Sequence, residues 1–290
     1  MSEYRIKRSY LLWNFYDEGK QNDMERNNKN EISPGFYRII LDGKTYMIRS
    51  VVEHRDCVML HLSADNRRYV LKLLRMGDDL SKEERKAWYN AYKARYELFR
   101  DNAYVPHVRI PRMIALVNSV NALRYGESTF GVMTEYVNGD RLEERLSFLH
   151  DLREKKKLML SVLPDYIDAL AYANSLGYYH MDITPGNLLV DGEGHGWLID
   201  FIGAYVINRE LDGSYHYCFS VDARKSMVKG MLTDGRRCEE MQVYMLCRLM
   251  MSVFSADEVD RLWESAYQHQ KSAYPSPSPL SAFRTALSLL

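Results

Sequence analysis

Five side chains between residues 180 and 201 have the types and the spacing for chemistry. His180 and Asp182 form an H-x-D, Asn187 follows five residues later, and Asp200-Phe201 lies 18 residues after Asp182, all within YYHMDITPGNLLVDGEGHGWLIDFIGAY. Asp182 is a carboxylate able to orient a hydroxyl and take its proton. Asn187 and Asp200 carry the oxygen donors that a hard divalent cation selects. Residues of these types are common in turns, but a turn alone does not demand the combined spacing.

Such a set needs a scaffold, and the flanking sequence supplies one in two styles. From Phe36 to Leu74 the pattern is short and β-like. FYRIIL and TYMIRSVV flank Asp42-Gly43, a hairpin signal. CVMLHLS and RRYVLKLL flank the turn-like Ala64-Asp65-Asn66. Ser81 to Arg100 reads as a helix, opened by the capping box SKEE (Ser81 with Glu84) and carrying Trp88, Tyr92, Tyr96 and Phe99 at helical spacing. RMIALVNSV and TFGVMTEYV follow as strands, and the expectation is a β-rich unit with one helix. After Asn138-Gly139 the pattern turns helical. Asp140 to His150 is a short charged helix, and Lys155 to Leu176 a long amphipathic one that stops at Gly177, with Pro164 as a kink or the true start. NLLV and GWLID flank DGEGHG as a tight hairpin, and the remainder carries apolar helical stripes in MQVYMLCRLMMSVF and LSAFRTALSLL. Residues 1–35, with the Asn-rich QNDMERNNKNE, form an N-terminal extension. Residues 36–137 form a β-rich lobe and 138–290 a helix-rich one, joined near Tyr136 to Gly139.

Composition narrows the function classes. Of 290 residues, 46% are hydrophobic and 27% charged, which suits a soluble globular protein and excludes wholesale disorder. Lys+Arg and Asp+Glu both number 39, so nucleic-acid binding by bulk charge is not expected. Cys57, Cys218, Cys238 and Cys247 form no CxxC and no metal spacing, which fits free thiols in a reducing compartment. MSEYRIKRSYLLWNFYDEG has no apolar stretch of signal-peptide length, and no run reaches membrane-span length. The expected location is cytoplasmic.

The motif set resembles the protein-kinase-like superfamily, whose catalytic loop reads H-x-D-x-x-x-x-N and whose metal-binding motif begins D-F. The resemblance covers roughly residues 36–290. It implies an α+β, bilobal protein-kinase-like fold and an ATP- and Mg²⁺-dependent phosphotransferase. By this resemblance Asp182 orients the acceptor hydroxyl, Asn187 and Asp200 bind Mg²⁺, and His180 braces the loop. Lys72, in YVLK, resembles the strand lysine that holds the α- and β-phosphates. Its glutamate partner is Glu97 or Glu84; Glu97, favoured here, suits the distance to the following strands. Thr134 stands at the gatekeeper position. The main chains of Glu135 and Val137 contact adenine, Val58, Val70 and Leu189 sandwich it, and Asp140 is placed to reach the ribose. The implied acceptor is a protein Ser/Thr hydroxyl. Two alternatives are a small-molecule or lipopolysaccharide-core sugar kinase, to which VRIPRMIALV is similar, and a pseudokinase acting as a binding scaffold.

Departures from the family pattern bear on activity. Residues 52–58 read VEHRDCV, with no glycine to let the backbone close on phosphates; Arg55 is the side chain able to clamp them instead. Met181 replaces the catalytic-loop arginine and should pack against apolar neighbours, so activation-segment phosphorylation is not expected to control the protein. Thr184 replaces a lysine, Ile202 precedes Gly203 where the glycine should come, Gln242 replaces a helix aspartate, and Tyr274 takes an arginine position.

Overall fold

The computed structural model describes residues 4–5, 38–41, 44–53, 57–75, 107–120, 128–201, 205–206, 235–272 and 277–288, with positions 81, 86, 89–90, 93, 96–97, 99–100 and 105. Most of the 1–35 extension, Arg55, Glu84, Trp88, Tyr92, Ile202, Gly203, Cys218, residues 207–234 and Tyr274 lie outside them. The fold is α+β. The chain divides into two compact units: Met1–Ala103 with Arg112–Tyr136, and Tyr104–Pro111 with Val137–Leu290.

Among the described residues the first unit carries a sheet of seven strands, in which Tyr4–Arg5 joins the runs read from the sequence: β1 (Tyr4–Arg5), β2 (Arg38–Leu41), β3 (Lys44–Glu53), β4 (Cys57–Ala64), β5 (Arg67–Arg75), β6 (Met113–Val120) and β7 (Ser128–Glu135). Their order is β1-β6-β7-β5-β4-β3-β2. Every pairing is antiparallel except β1 with β6, where Tyr4 faces Val117. The β4–β5 turn places Asp65 and Asn66 at φ 49° and 59°, the left-handed pair that a two-residue hairpin demands and that short polar side chains tolerate. Alternation buries Leu60, Leu62, Leu71 and Leu73 with Ile39, Ile48, Val117 and Met133 in one core. The described residues between 86 and 100 are helical, with Tyr96 and Phe99 buried.

The second unit is built on helices: α1 (Leu142–Phe148), α2 (Leu152–Ser175), α3 (Gly235–Met250), α4 (Ala256–Ser272) and α5 (Pro279–Leu287). Asp151 caps α2, its Oδ1 accepting the amide of Arg153 at 2.8 Å. The helix runs through Pro164, whose own carbonyl accepts from Arg284 Nη1 of α5 at 2.8 Å. It stops at Gly177, whose φ of +80° suits glycine and whose amide closes on Asn174 O at 2.9 Å. Met159, Val162, Leu163, Tyr166, Ile167 and Leu170 form its buried stripe.

Three short strand pairings among the described residues complete this unit. β8 (Gly139–Arg141), β10 (Leu188–Asp191) and β11 (Gly196–Leu198) form one sheet, and β9 (Tyr178–Tyr179) pairs with β12 (Tyr205–Val206). Asp191 staples the β10–β11 turn: Oδ1 accepts the amides of Glu193 (3.0 Å) and His195 (2.9 Å), and Oδ2 accepts from Trp197 Nε1 (2.8 Å). The hairpin is fastened to α2 by Asp165, which accepts the Gly196 amide at 2.8 Å, and by Tyr166, whose hydroxyl donates to Leu189 O at 3.0 Å.

Candidate functional site

In the helical unit, the segment between β9 and β10 carries His180, Asp182 and Asn187. It has little repetitive structure of its own, so individual contacts hold it. Thr184 is extended, and Pro185 opens a 3₁₀ turn, Pro185–Asn187, closed by Asn187 N–H to Thr184 O at 2.9 Å. That turn swings the Asn187 side chain back on Asp182. Its Nδ2 donates to Asp182 Oδ2 at 2.9 Å and to Asp182 O at 3.0 Å. The amide nitrogen is thus committed to Asp182, and Oδ1 is the other polar atom of the Asn187 side chain. The Oδ1 of Asp182 is buried with no hydrogen-bond partner among the described residues. A buried carboxylate oxygen left in this state is costly in a merely structural aspartate.

His180 joins this segment to the next. Its Nε2 lies 2.9 Å from Ile199 O, and its Nδ1 accepts the Asp182 amide at 3.3 Å. A carbonyl can only accept, so the proton sits on Nε2 and the neutral ring spans both contacts. The ring is fully buried and stacks edge-on to Phe201, centroids 4.9 Å apart at 89°. Ile199 N–H returns to Asn187 O at 2.9 Å. One imidazole and one backbone bond therefore place Asp200 relative to Asp182. Asp200 adopts φ 65°, a conformation uncommon for a residue with a side chain and concentrated at functional sites. Met181, in the arginine's place, is 0% exposed, as its apolar character requires.

In the sheet unit, register decides which predicted residues share a face. Lys72 lies opposite Met59 of β4 and Val132 of β7, and Val70 lies opposite His61 and Thr134. Directly opposed residues project to the same side, so Lys72, Val70 and Thr134 share one face. Val58 is paired with Leu73 and packs in the core with Leu60 and Leu71, on the other face. The structure therefore separates Val58 from Val70, and Met59 occupies the position beside Lys72. Sequence inspection missed this because a single residue of register exchanges the faces. Glu97 is helical and half-buried, and its Oε1 is buried with no hydrogen-bond partner among the described residues.

At the end of β7, Glu135 N–H is bonded to Arg112 O at 2.9 Å and Tyr136 N–H to Arg68 O at 3.1 Å. Both amides are thus bonded within the fold. In the helical unit, Val137 is buried, Asp140 pairs with Arg145 at 3.4 Å, and Leu189 lies opposite Arg141 and Trp197. Asn174, on α2, is a site-supporting residue that the sequence reading did not select. Its signal was available: a polar residue four positions after Leu170 on an otherwise apolar stripe.

No family model matches the chain. Its curated relatives include protein kinases. It is 30% identical over 127 residues to CBL-interacting protein kinase 21 of Oryza sativa subsp. japonica, covering 43% of this chain and 23% of that kinase. Identity to CBL-interacting serine/threonine-protein kinase 16 of Arabidopsis thaliana is 34% over 118 residues, 40% of this chain and 24% of the relative. Identity to the probable serine/threonine-protein kinase FPV226 of fowlpox virus is 26% over 160 residues, 52% and 51% of the two chains. The matches span about a quarter to a half of these relatives' length. Sheet unit, helical unit and relatives agree: the chain is similar to protein kinases, and its α+β fold is kinase-like.

Proposed function

We propose that the chain is an ATP- and Mg²⁺-dependent phosphotransferase, a divergent Ser/Thr protein kinase that moves the γ-phosphate of ATP to a hydroxyl. The observation that carries this reading is the Asp182 carboxylate, gripped on one oxygen by Asn187 at 2.9 Å while the other is buried and unpartnered among the described residues. A carboxylate fixed in this way can align an acceptor hydroxyl and accept its proton. Asn187 Oδ1 and the Asp200 carboxylate are hard oxygen donors suited to Mg²⁺. Bound Mg²⁺-ATP supplies the transferable phosphoryl group. Lys72 and Glu97 are assigned to the phosphate-binding lysine and its partner. The Glu135 carbonyl, Val137 main chain, Val70 and Leu189 are assigned to adenine. Val58, on the core face, supports the strand.

Among the described residues Cys57, Cys238 and Cys247 are buried thiols outside any disulfide, which supports a reducing, cytoplasmic setting, and no helix among them is long and apolar enough to cross a membrane. The acceptor is a protein or a small hydroxyl compound. A second reading, a nucleotide-binding scaffold without transfer, is favoured by the absence of glycine from residues 52–58. Labelled ATP with Mg²⁺, offered with the chain itself, generic proteins and a metabolite panel, separates the two. Transfer that disappears in Asp182→Asn supports the kinase; nucleotide binding without transfer to any acceptor supports the scaffold.

A further inference from the structure

On the Lys72 face of the sheet, a second group of side chains lies beyond Val70. His61 of β4 stands opposite Ser50 of β3 and Val70 of β5. Arg68 of β5 stands opposite Ser63, one pair further along the same face. Both side chains meet Tyr136, the last residue of the sheet unit. The Arg68 guanidinium carbon lies 4.2 Å from the centroid of the Tyr136 ring, and the His61 ring meets that ring edge-on, centroids 5.8 Å apart at 61°. Tyr136 N–H donates to Arg68 O at 3.1 Å. Arg68 therefore holds both the backbone and the ring of the residue at which the chain leaves the sheet.

The strands around this trio bring no acid to it. Glu53 of β3 and Glu135 of β7 lie opposite Val58 and Tyr69, on the core face, and β4 and β5 carry no Asp or Glu apart from their connecting turn. The charged groups that these strands turn toward His61 are Arg68 and Lys72 of β5 and Arg49 of β3, whose Nε donates to Ser63 Oγ at 2.6 Å. Tyr136 is the other titratable neighbour. A half-buried imidazole among cations stays neutral: burial, and then the Arg68 charge, hold its pKa below the ordinary 6.5. Neutral His61 leaves the guanidinium free to stack on the ring. An imidazolium sets a second cation against the same ring and against Arg68, with no carboxylate to offset it.

We propose that His61 is a proton-operated latch on Tyr136: neutral, it shares the ring with Arg68 and the strand end stays fixed; protonated, it drives Arg68 off the ring, loosens the Tyr136 peptide and weakens nucleotide binding beside it. The nucleotide consequence rests on the ATP-dependent reading, which assigns adenine to Val70, the Glu135 carbonyl and the Val137 main chain; the release of Tyr136 does not. The latched state is the one with the lower imidazole pKa, so the latch is complete above about 6.5 and weakens as pH falls below it.

The test compares the full chain with His61→Phe, which keeps a ring and cannot ionise, at about pH 8 and about pH 5 in low salt. In the parent, protection of the Tyr136 amide against hydrogen exchange should fall by about threefold or more at the lower pH, the scale of one lost cation–π contact. Protection in His61→Phe should not follow pH. Affinity for adenosine, which carries no phosphate to titrate, should fall by a similar factor in the parent and hold in the variant. Equal pH dependence of Tyr136 protection in parent and variant overturns the proposal, as does adenosine binding that tightens with acid in the parent alone. Should His61→Phe fail to fold, Arg68→Met decides: the His61 imidazole titration, followed by NMR, should move upward, and an unmoved titration overturns the latch. Adenosine binding absent at both pH values refutes the adenine assignment, and Tyr136 exchange still decides the latch.

Discussion

The sheet around Lys72 and the segment around Asp182 hold their side chains by different means. Lys72 is placed by ladder bonds on both sides, to β4 and β7, and these depend on backbone register rather than on neighbouring side chains. Asp182 is placed by side chains reaching backbone: Asn187 to Asp182, His180 to Asp182 and Ile199, Gln242 to His180. The first arrangement tolerates substitution wherever volume is kept. In the second, each polar group holds a specific position, and a single changed side chain releases it. The departures at 181 and 242 are instructive: one replaces an arginine with a wholly buried methionine, the other an acid with a bonded carboxamide, and the loop geometry accommodates both.

The largest expected effect tests the segment. Asp182→Asn should lower transfer by about 10²–10⁴-fold, the usual worth of a positioned proton acceptor. Nucleotide binding should persist, seen as an unchanged shift in thermal stability on adding ATP with Mg²⁺. Retained turnover would mean that Asp182 is not the residue facing the acceptor.

Asn187→Ala comes next. It removes both bonds to Asp182, at 2.9 and 3.0 Å, and the oxygen proposed for Mg²⁺. Hydrogen bonds to charged groups contribute about 1.5–3 kcal/mol, so turnover should fall by about 10- to 100-fold or more. The Mg²⁺ concentration for half-maximal rate should rise; a drop in kcat with unchanged Mg²⁺ dependence would restrict Asn187 to holding Asp182.

The sheet has its own weak point at Gly131, opposite Leu73. A Cβ there would lie 2.6 Å from Lys72 O and 2.8 Å from Leu73 Cδ2, so two strands approach where no side chain fits. Gly131→Ala should destabilise by about 1–3 kcal/mol in denaturant unfolding, the usual cost of overpacking. Gly192→Ala in the β10–β11 turn, where a Cβ meets nothing within 4 Å, is the neutral control. Equal stabilities would show that β5 and β7 part easily and that register alone does not hold Lys72.

The smallest effect lies away from both regions. Glu258 accepts from Lys156 Nζ at 2.6 Å and from Ser255, contacts that pull its carboxyl from 4.5 down to about 2. A carboxylate depressed in the folded state stabilises the protein above its unfolded pKa, and that contribution is lost as pH falls through the folded value. Lys156→Met should therefore melt slightly below the parent at neutral pH, and the gap should close between about pH 4.5 and 2. A gap independent of pH would trace the loss to packing of Lys156 over the Phe254 ring, 5.0 Å away.

Local features were legible in the chain because their causes are local. The Asp65-Asn66 turn, the Gly177 stop and the hairpin around DGEGHG each follow from backbone preferences of a few adjacent residues. The β-rich then helix-rich order, and the kinase resemblance that gave the fold class, came from periodicity and motif spacing. The parallel pairing of Tyr4–Arg5 with β6 was not legible, since two residues carry no period and their partner lies more than a hundred positions away. Pro164 reads as a kink or the helix's true start, yet α2 begins twelve residues earlier at Leu152 and passes through it, because tertiary packing on both sides outweighs one missing amide.

By itself, then, the sequence determined which residues can do chemistry: His180, Asp182, Asn187 and Asp200 are set by type and spacing. Tertiary structure alone decided how they are held and which neighbours join them. Val58 and Val70 fall on opposite faces because strand register is set by pairing across the sheet. Asn174 and Gln242 meet because two helices far apart in the chain pack with their polar positions facing. Contacts of this kind depend on separation in space, and sequence spacing carries no measure of it.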